Sequence, residues 1–199
     1  PAGRDVKKSP IHDRIAELGA QFGAYNGWER ANWYAKPWDD VSEEATQTFD
    51  RDGPWFPRIR EECHAVRSAA GILDLPGFSR FNLDGPGAAE WLSRQITGVV
   101  PKVGRIGLAY FADDKGRILT EMSVVRHDED LMTLITAAVA QSHDYELLAA
   151  RVPENAPFRL TDRTEDYTTQ ILSGPSSRLI LADVCAADLT MPWLTHQET

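Results

Sequence analysis

Glu121 is the side chain whose surroundings in the sequence come nearest to a chemical site. In the alternating stretch 117–126, Leu119, Ser123 and Val125 fall on the same face of a strand as Glu121. A carboxylate among apolar neighbours is desolvated and can act as a proton acceptor or as the counter-charge of a cation. The same alternation also fits an exposed glutamate on the solvent side of a one-sided sheet, and the pattern alone favours that simpler interpretation.

The remaining polar residues form no recognisable catalytic or metal-binding motif. The sequence has no dinucleotide-binding glycine motif, Walker loop, nucleophile elbow or zinc-protease motif. The five histidines lack metal-ligand spacing, so no metal is predicted, and His64 is interpreted as a structural residue on a helix. His143 and Asp144 could form an imidazole–carboxylate pair. Adjacent helical residues do not face each other, however, which favours a capping or solvated role.

Three alternating segments are predicted to form an antiparallel meander with Glu121 in its middle strand. They cover 106–111, 117–126 and 131–136, joined by turn-like segments at 113–116 and 127–130. Further strands are predicted over 78–84, 158–161 and 167–173, and helices over 59–70, from Gly85, over 139–151 and from Pro175.

A weak internal repeat accompanies these elements. Residues 83–86 (LDGP) recur as 172–175 (LSGP), and each copy lies between an alternating strand and a helix that begins with proline. Asp74 precedes the first Gly-Pro pair, and Asp162 precedes the second at nearly the same distance. The repeat predicts two similar α+β halves, while two unrelated strand-to-helix turns explain it equally well.

Residues 1–58 differ from the regular region 59–199. The spacing of Ile11, Ile15, Leu18 and Phe22 predicts a short helix that ends at Gly23. Four tryptophans follow among polar residues, and most of this aromatic-rich lead segment is predicted to be an irregular strap. Exposed aromatic side chains are typical of interfaces, so 24–58 could pack against another domain or cover the core of this one.

Composition and charge exclude several classes of protein. The chain has 199 residues, of which 42% are apolar, and its 21 Lys and Arg against 30 Asp and Glu give a net charge of −9. This is a globular composition without a membrane-spanning apolar run, and the acidic balance argues against a nucleic-acid partner. Two distant cysteines favour a reducing compartment such as the cytoplasm. The chain opens without methionine and ends without a closing signal, so it is predicted to be a piece.

Several segments, in order along the chain, resemble the folate-binding aminomethyltransferase family, and the likeness is greatest to the C-terminal part of dimethylglycine and sarcosine dehydrogenases. The similarity runs from about Ser9 to the end of the chain. The segments that carry it are 22–33 (FGAYNGWERANW), 62–67 (ECHAVR), 78–81 (FSRF), 102–106 (KVGRI), 115–124 (KGRILTEMSV), 134–136 (LIT) with His143-Asp144, and 172–175 (LSGP).

The resemblance implies an α+β fold of antiparallel sheets with flanking helices, in two pseudo-symmetric halves, truncated within the folate-binding domain. It implies tetrahydrofolate as the cofactor and the transfer of a one-carbon unit to it from an iminium derived from an N-methyl amine. It also implies a flavin domain upstream, which would hold FAD outside this chain. The compartment would be the cytoplasm, or the mitochondrial matrix in a eukaryote.

The resemblance also assigns site residues. The catalytic aspartate of the family aligns with Glu121, where the dimethylglycine dehydrogenase branch is similar in having glutamate. The folate-lining positions fall on Leu108, Ser123, Val125 and Ala137, where aminomethyltransferases have tyrosine, an apolar residue, tyrosine and asparagine. Three of the expected polar groups are therefore apolar here. The Tyr-Thr-Gly-Glu-type strand expected shortly after 193–197 is not in the sequence.

Two other functions remain open at this stage. The apolar replacements at Leu108, Val125 and Ala137 would suit a non-catalytic module with the same fold that serves as a scaffold or docking domain. Another aminomethyltransferase-like enzyme, such as a sulfonium demethylase, would also fit the resemblance.

Overall fold

The computed structural model describes residues 3–46, 49 and 51–198; the few lead-segment residues between these ranges and the chain ends lie outside the described part. Its helices are α1 His12–Glu17, α2 Glu43–Thr46, α3 Trp55–Ser68, α4 Ala88–Gln95, α5 Gln141–Ala149 and α6 Ser177–Val184. Its strands are β1 Ala20–Tyr25, β2 Trp28–Tyr34, β3 Gly71–Asp74, β4 Phe78–Asp84, β5 Ile96–Thr97, β6 Ile106–Ala112, β7 Ile118–Arg126, β8 Leu131–Ala137, β9 Arg159–Asp162 and β10 Gln170–Ser173. Short 3₁₀ turns cover Ala138–Ala140 and Thr164–Asp166.

The chain divides into two compact units. The first contains the described residues up to Gly77 together with Thr168–Cys185, and the second contains Phe78–Tyr167 together with the described residues from Ala186 onward. The sequence was predicted to divide after residue 58, whereas the two units meet between Gly77 and Phe78. The division after residue 58 stays a prediction.

A β-hairpin occupies the lead segment, where mostly irregular structure was predicted. β1 and β2 pair antiparallel around Asn26 and Gly27, whose φ angles of 52° and 84° are those of a tight hairpin turn. Trp28 and Trp33 are buried, whereas Trp38 is exposed. The prediction of an irregular strap is therefore wrong for residues 20–34, because alternating aromatic and polar residues around Asn-Gly form strands.

The first predicted helix is also shorter than its apolar spacing indicated. α1 ends at Glu17, and Phe22 lies in β1. Gly19 has a φ of 92°, and a Cβ there would lie 2.3 Å from the carbonyl oxygen of Ala35. The backbone N–H of Ala35 donates to the carbonyl oxygen of Gly19. Residues from Ala20 onward therefore pair in the hairpin, where the apolar spacing predicted that the helix continues.

A two-stranded antiparallel sheet in the first unit joins β3 to β10, so that Gln170 pairs with Asp74. The buried Asp74 carboxylate accepts a hydrogen bond from Ser9 Oγ at 2.5 Å and a longer one from Thr168 Oγ1 at 3.4 Å. α3 matches the helix predicted over 59–70, although it begins four residues earlier and ends at Ser68.

A six-stranded antiparallel sheet forms the second unit, in the order β5-β6-β7-β8-β4-β9. The predicted meander is confirmed, since β6, β7 and β8 lie within one residue of their expected bounds. One face of the sheet carries the core, which α4 and α5 cover with Ala88, Trp91, Leu92 and Leu148. The buried side chains of that face are Phe81, Leu83, Ala109, Phe111, Met122, Val124, Met132 and Leu134.

The two copies of the Gly-Pro repeat make the same local turn. Gly85 follows β4 and Gly174 follows β10, with φ angles of 129° and 116°. A Cβ would lie 2.8 Å from the carbonyl oxygen of Pro157 at Gly85, and 2.6 Å from that of Ala69 at Gly174. Both positions therefore require glycine, because the backbone conformation and a neighbouring chain exclude a side chain.

Candidate functional site

The candidate site is the face of the six-stranded sheet opposite the core. Side chains alternate across a strand, so the residues between the buried ones of β4, β6, β7 and β8 must point to this face. The register places Tyr110 opposite Glu121, and Ser123 between Leu108 and Ile135. The helices that contribute side chains to the second unit's core, α4 and α5, lie on the other side of the sheet from this candidate face. We call it the open face.

All five predicted site residues lie on the open face. Glu121, Ser123 and Val125 follow one another along β7, Leu108 lies on β6, and Ala137 ends β8. The three β7 residues share the face that the alternation predicted. Leu108 is 49% exposed and Val125 only 8%, so the site has an apolar floor and an accessible rim.

Glu121 is exposed, and its clearest neighbour is Tyr110 on β6. The pKa of the Tyr110 hydroxyl is raised, first by the negative charge of Glu121, then by burial and by the hydrogen bond between the two side chains. The desolvation expected for a carboxylate among apolar neighbours is thus not found in this structure. Tyr110 is a further polar group of the site that pattern reasoning missed.

A cleft of about 580 Å³ continues the open face beyond Val125. Its polar lining was not predicted from the sequence, and consists of Arg80, Asn82, His127, Thr133, Tyr167, His196 and Glu198. The guanidinium of Arg80 lies 6.0 Å from the ring centre of Tyr167, and burial lowers the pKa of Arg80. Alternation along β4 would have placed Arg80 and Asn82 here, because they lie between the buried residues of that strand.

Two histidines meet in this cleft although 69 residues separate them in the sequence. The Nδ1 atom of His127 lies 2.9 Å from Nε2 of His196 and 3.2 Å from Oε1 of Glu198. Burial and the proximity of His196 lower the pKa of His127. Histidine spacing along the chain could not have revealed this cluster, because the tail segment brings His196 to the sheet.

His143 and Asp144 do contact each other, contrary to the favoured prediction. His143 Nδ1 lies 2.9 Å from Oδ1 of Asp144, and the other carboxylate oxygen accepts a 2.6 Å hydrogen bond from Thr136 Oγ1. Asp144 is fully buried. The side chains of adjacent helical residues can still meet where one turns under the helix, and here Asp144 fastens α5 to β8. We therefore assign the pair to the fold and not to the open face.

An antiparallel sheet whose core face is covered by helices defines the α+β class of protein. Comparison with known proteins gives the family: residues 11–199 match the GCVT N-terminal domain, and the chain belongs to that family. The resemblance stated from the sequence is confirmed, and with it the α+β class.

Three known proteins illustrate the relationship. The chain is 31% identical over 187 residues to 4-methylaminobutanoate oxidase (formaldehyde-forming) of Paenarthrobacter nicotinovorans, and 26% identical over 190 residues to mitochondrial dimethylglycine dehydrogenase of Rattus norvegicus. These matches cover 94% and 95% of the chain but 22% of each relative, so the chain spans about a fifth of their length. Aminomethyltransferase T of the glycine cleavage system from Bartonella henselae has the same fold, with a TM-score of 0.76 and 20% identity over 96% of this chain and 47% of that one.

The described part of the chain contains no helix with the length and apolarity needed to cross a membrane.

Proposed function

We propose that the chain takes part in folate-dependent one-carbon transfer from an N-methyl-amine-derived iminium to tetrahydrofolate, within an enzyme similar to dimethylglycine and sarcosine dehydrogenases. At the level of the family, the relatives support a folate-related one-carbon transfer. The single observation that carries the finer proposal is the open face, where Glu121 lies beside an apolar floor on a rigid sheet.

The side chains of the open face fit a flat ring system that carries N–H groups. Leu108 and Val125 offer apolar surface to the ring, and Ser123 adds a small polar group between them. The Glu121 carboxylate can accept an N–H hydrogen bond at the edge of that surface. The polar cleft beyond Val125 leaves room for a charged tail, since it includes Arg80.

In this proposal Glu121 has two tasks. Its negative charge stabilises the positive charge of the iminium, and its oxygen atoms orient the N–H groups that must lose protons. Tetrahydrofolate supplies the two nitrogen nucleophiles. When bound, it would accept the methylene carbon on those two nitrogens, and the amine would leave as an ammonium ion with the two protons that they lose. Tyr110 lies opposite Glu121 in the register of β6 and β7 and is the neighbouring polar group on the face.

The partner that produces the iminium would be a flavin domain, with FAD held outside this chain. The names of the two relatives support an N-methyl-amine substrate, and their greater length supports further domains. The compartment would be cytoplasm-like or the mitochondrial matrix, in keeping with the mitochondrial dehydrogenase among the relatives.

The proposal is tested with Glu121→Gln in the polypeptide that carries this chain, with Glu146→Gln as the control on the exposed side of α5. Glu121→Gln removes the charge but keeps the shape. We expect formation of methylenetetrahydrofolate to fall about 100-fold or more, because positioned proton acceptors contribute at least that much. Amine oxidation should continue at the control rate, with formaldehyde released in place of the folate product. Normal folate product in Glu121→Gln would overturn the assignment.

A second candidate is a non-catalytic module used for docking, which the exposure of Glu121 and the apolar Leu108, Val125 and Ala137 favour. Calorimetric titration with tetrahydrofolate, together with the product assay above, separates the two. A scaffold shows no saturable binding of tetrahydrofolate by calorimetry and no folate-coupled product in either variant. Substrate profiling distinguishes the remaining candidate, a demethylase-like member of the family, because it would accept a methyl donor that is not an amine.

A further inference from the structure

The tail of the second unit is fastened to the sheet beside the polar cleft. The N–H of Ile106 donates to the carbonyl oxygen of Leu194, and the N–H of His196 donates to that of Gly104. Thr195 forms an isolated bridge with Arg105 between these two bonds. The backbone of 194–196 therefore has a fixed position against the start of β6, which directs His196 towards the turn after β7.

Three donor atoms converge at this point, from His127, His196 and Glu198. The separations are 2.9 Å between His127 Nδ1 and His196 Nε2, 3.2 Å between His127 Nδ1 and Glu198 Oε1, and 3.7 Å between His196 Nε2 and Glu198 Oε1. A tetrahedral centre with bonds of 2.0–2.1 Å separates its ligand atoms by about 3.3 Å. The three distances bracket that value, so one cation can contact all three atoms at ordinary bond lengths.

Hydrogen bonds on the Nε2 side of the ring, away from His196 and Glu198, orient His127. Its Nε2–H donates to Thr133 Oγ1 at 2.8 Å, and the Thr133 hydroxyl donates in turn to Asn82 Oδ1 at 2.9 Å. This chain places the proton of neutral His127 on Nε2 and leaves the lone pair of Nδ1 directed at His196 and Glu198. Histidine ligands of metals characteristically donate their second N–H to such an oriented partner.

We propose that His127, His196 and Glu198 form a binding site for a divalent transition-metal cation of the Zn²⁺ class. Two imidazole nitrogens and one carboxylate suit that class better than Mg²⁺ or Ca²⁺, which prefer all-oxygen sites. On binding, the cation takes the place of the hydrogen bond between the two imidazoles, and His196 carries its proton on Nδ1. All three side chains line the cleft, so the fourth position opens towards it.

The site lies beyond Val125, in the same polar cleft that the proposed function leaves to the charged tail of the ligand. Val125 belongs to the open face, and His127 lies two positions further along the chain, at the start of the turn into β8. A cation here would place an exchangeable water or a carboxylate of a bound molecule at the end of the face that holds Val125. Metal binding can be measured without any folate or amine, so its outcome is independent of the proposed function.

The test is calorimetric titration of the metal-free 199-residue chain with ZnCl₂, and with CoCl₂ for the visible absorption of four-coordinate cobalt. His196→Ala removes one ligand, Thr133→Val removes the group that orients His127, and His143→Ala is the control at a histidine that also contacts a carboxylate. We expect one saturable site, weakened at least tenfold by His196→Ala and about 10- to 100-fold by Thr133→Val. His143→Ala should bind like the unaltered chain.

Two results would overturn the proposal. One is the absence of saturable Zn²⁺ binding in the unaltered chain, which would leave the cluster as a hydrogen-bonded histidine pair. The other is binding that His196→Ala does not weaken or that His143→Ala abolishes. Thermal unfolding of each variant without metal shows that a loss of affinity does not come from a loss of the fold.

Discussion

The carboxylates of this protein occupy three different environments, and these environments decide what each group can do. Asp144 is fully buried between His143 and Thr136, and it fastens a helix to the sheet. Glu121 is exposed on the open face, within reach of a ligand. Glu29 is buried against the guanidinium of Arg4 and serves the stability of the first unit.

The Glu29–Arg4 pair predicts a loss of stability in acid. Glu29 accepts hydrogen bonds from Arg4 Nε, Arg4 Nη2 and the Asp5 backbone N–H, at 2.7–2.8 Å. The pKa of Glu29 is lowered from 4.5 to about 2, and the hydrogen bond from Arg4 is the largest cause. Burial acts in the opposite direction, and the bond from the Asp5 backbone adds to the lowering. Because the folded-state pKa is the lower one, the stabilisation is complete above pH 4.5 and is lost as the pH falls towards 2.

We expect this pair to contribute about 2 kcal/mol to the free energy of unfolding, reduced from the full shift because Arg4 is partly exposed. Arg4→Gln should lower stability by that amount at pH 7 in urea denaturation, and the difference from the unaltered chain should shrink below pH 4. Arg14→Ala, in the exposed part of α1, is the control. A difference that stays constant from pH 7 to pH 2.5 would contradict the assignment.

For individual residues, the sequence predicted which side chains share a face of one strand. It did not predict contacts between residues that are far apart along the chain. Alternation placed Glu121, Ser123 and Val125 on one face because the side-chain period of a strand is fixed. It could not pair His127 with His196, since their contact depends on the path of the tail. It also could not show that Asp144 turns under α5, because the direction of a side chain on a helix depends on the packing around it.

At the scale of elements, the strands of the second unit were predictable because one of their faces is buried. Buried and partly exposed positions alternate along β4 and β8, and one-sided burial produces that pattern. The start of the lead hairpin was missed because Phe22 in β1 also continues the helical spacing of Ile11, Ile15 and Leu18. Gly19 separates the helix from the hairpin, because its left-handed backbone ends the helix and its carbonyl oxygen begins the pairing with Ala35.

The two faces of the sheet should respond differently to the same substitution. Leu134→Ala removes a fully buried side chain and should lower the free energy of unfolding by about 2–5 kcal/mol. Leu108→Ala on the open face should lower it by less than about 1 kcal/mol, because that side chain is 49% exposed. Guanidinium denaturation of both variants measures the difference. Similar losses at the two positions would mean that the open face is packed in solution.

At the scale of the whole molecule, the net charge and the exposed apolar side chains have opposite effects on self-association. The net charge is −9 at pH 7 and the isoelectric point is about 5.0. Large apolar side chains remain exposed, among them Val99, Ile118, Leu179 and Trp193. Charge repulsion between molecules keeps such surfaces apart, and this repulsion disappears near the isoelectric point.

We therefore expect self-association to be greatest near pH 5 and to decrease towards pH 7.5. Light scattering at fixed concentration across this range measures it, and added salt at pH 7.5 is the control, since screening should raise the scattering part of the way towards the pH 5 value. Scattering that is lowest at pH 5 would show that the exposed apolar residues do not drive association.

The pairing of β3 with β10 has a consequence for the order in which the chain acquires its structure during synthesis. β3 ends at Asp74, and its partner begins only at Gln170. Between them lie all the strands of the six-stranded sheet, so that sheet can close while β3 still has an unsatisfied edge. An unpaired edge is a template for misassembly between nascent chains. Slowing translation between residues 75 and 170 would lengthen that vulnerable interval, whereas slowing it after Ser173 would not.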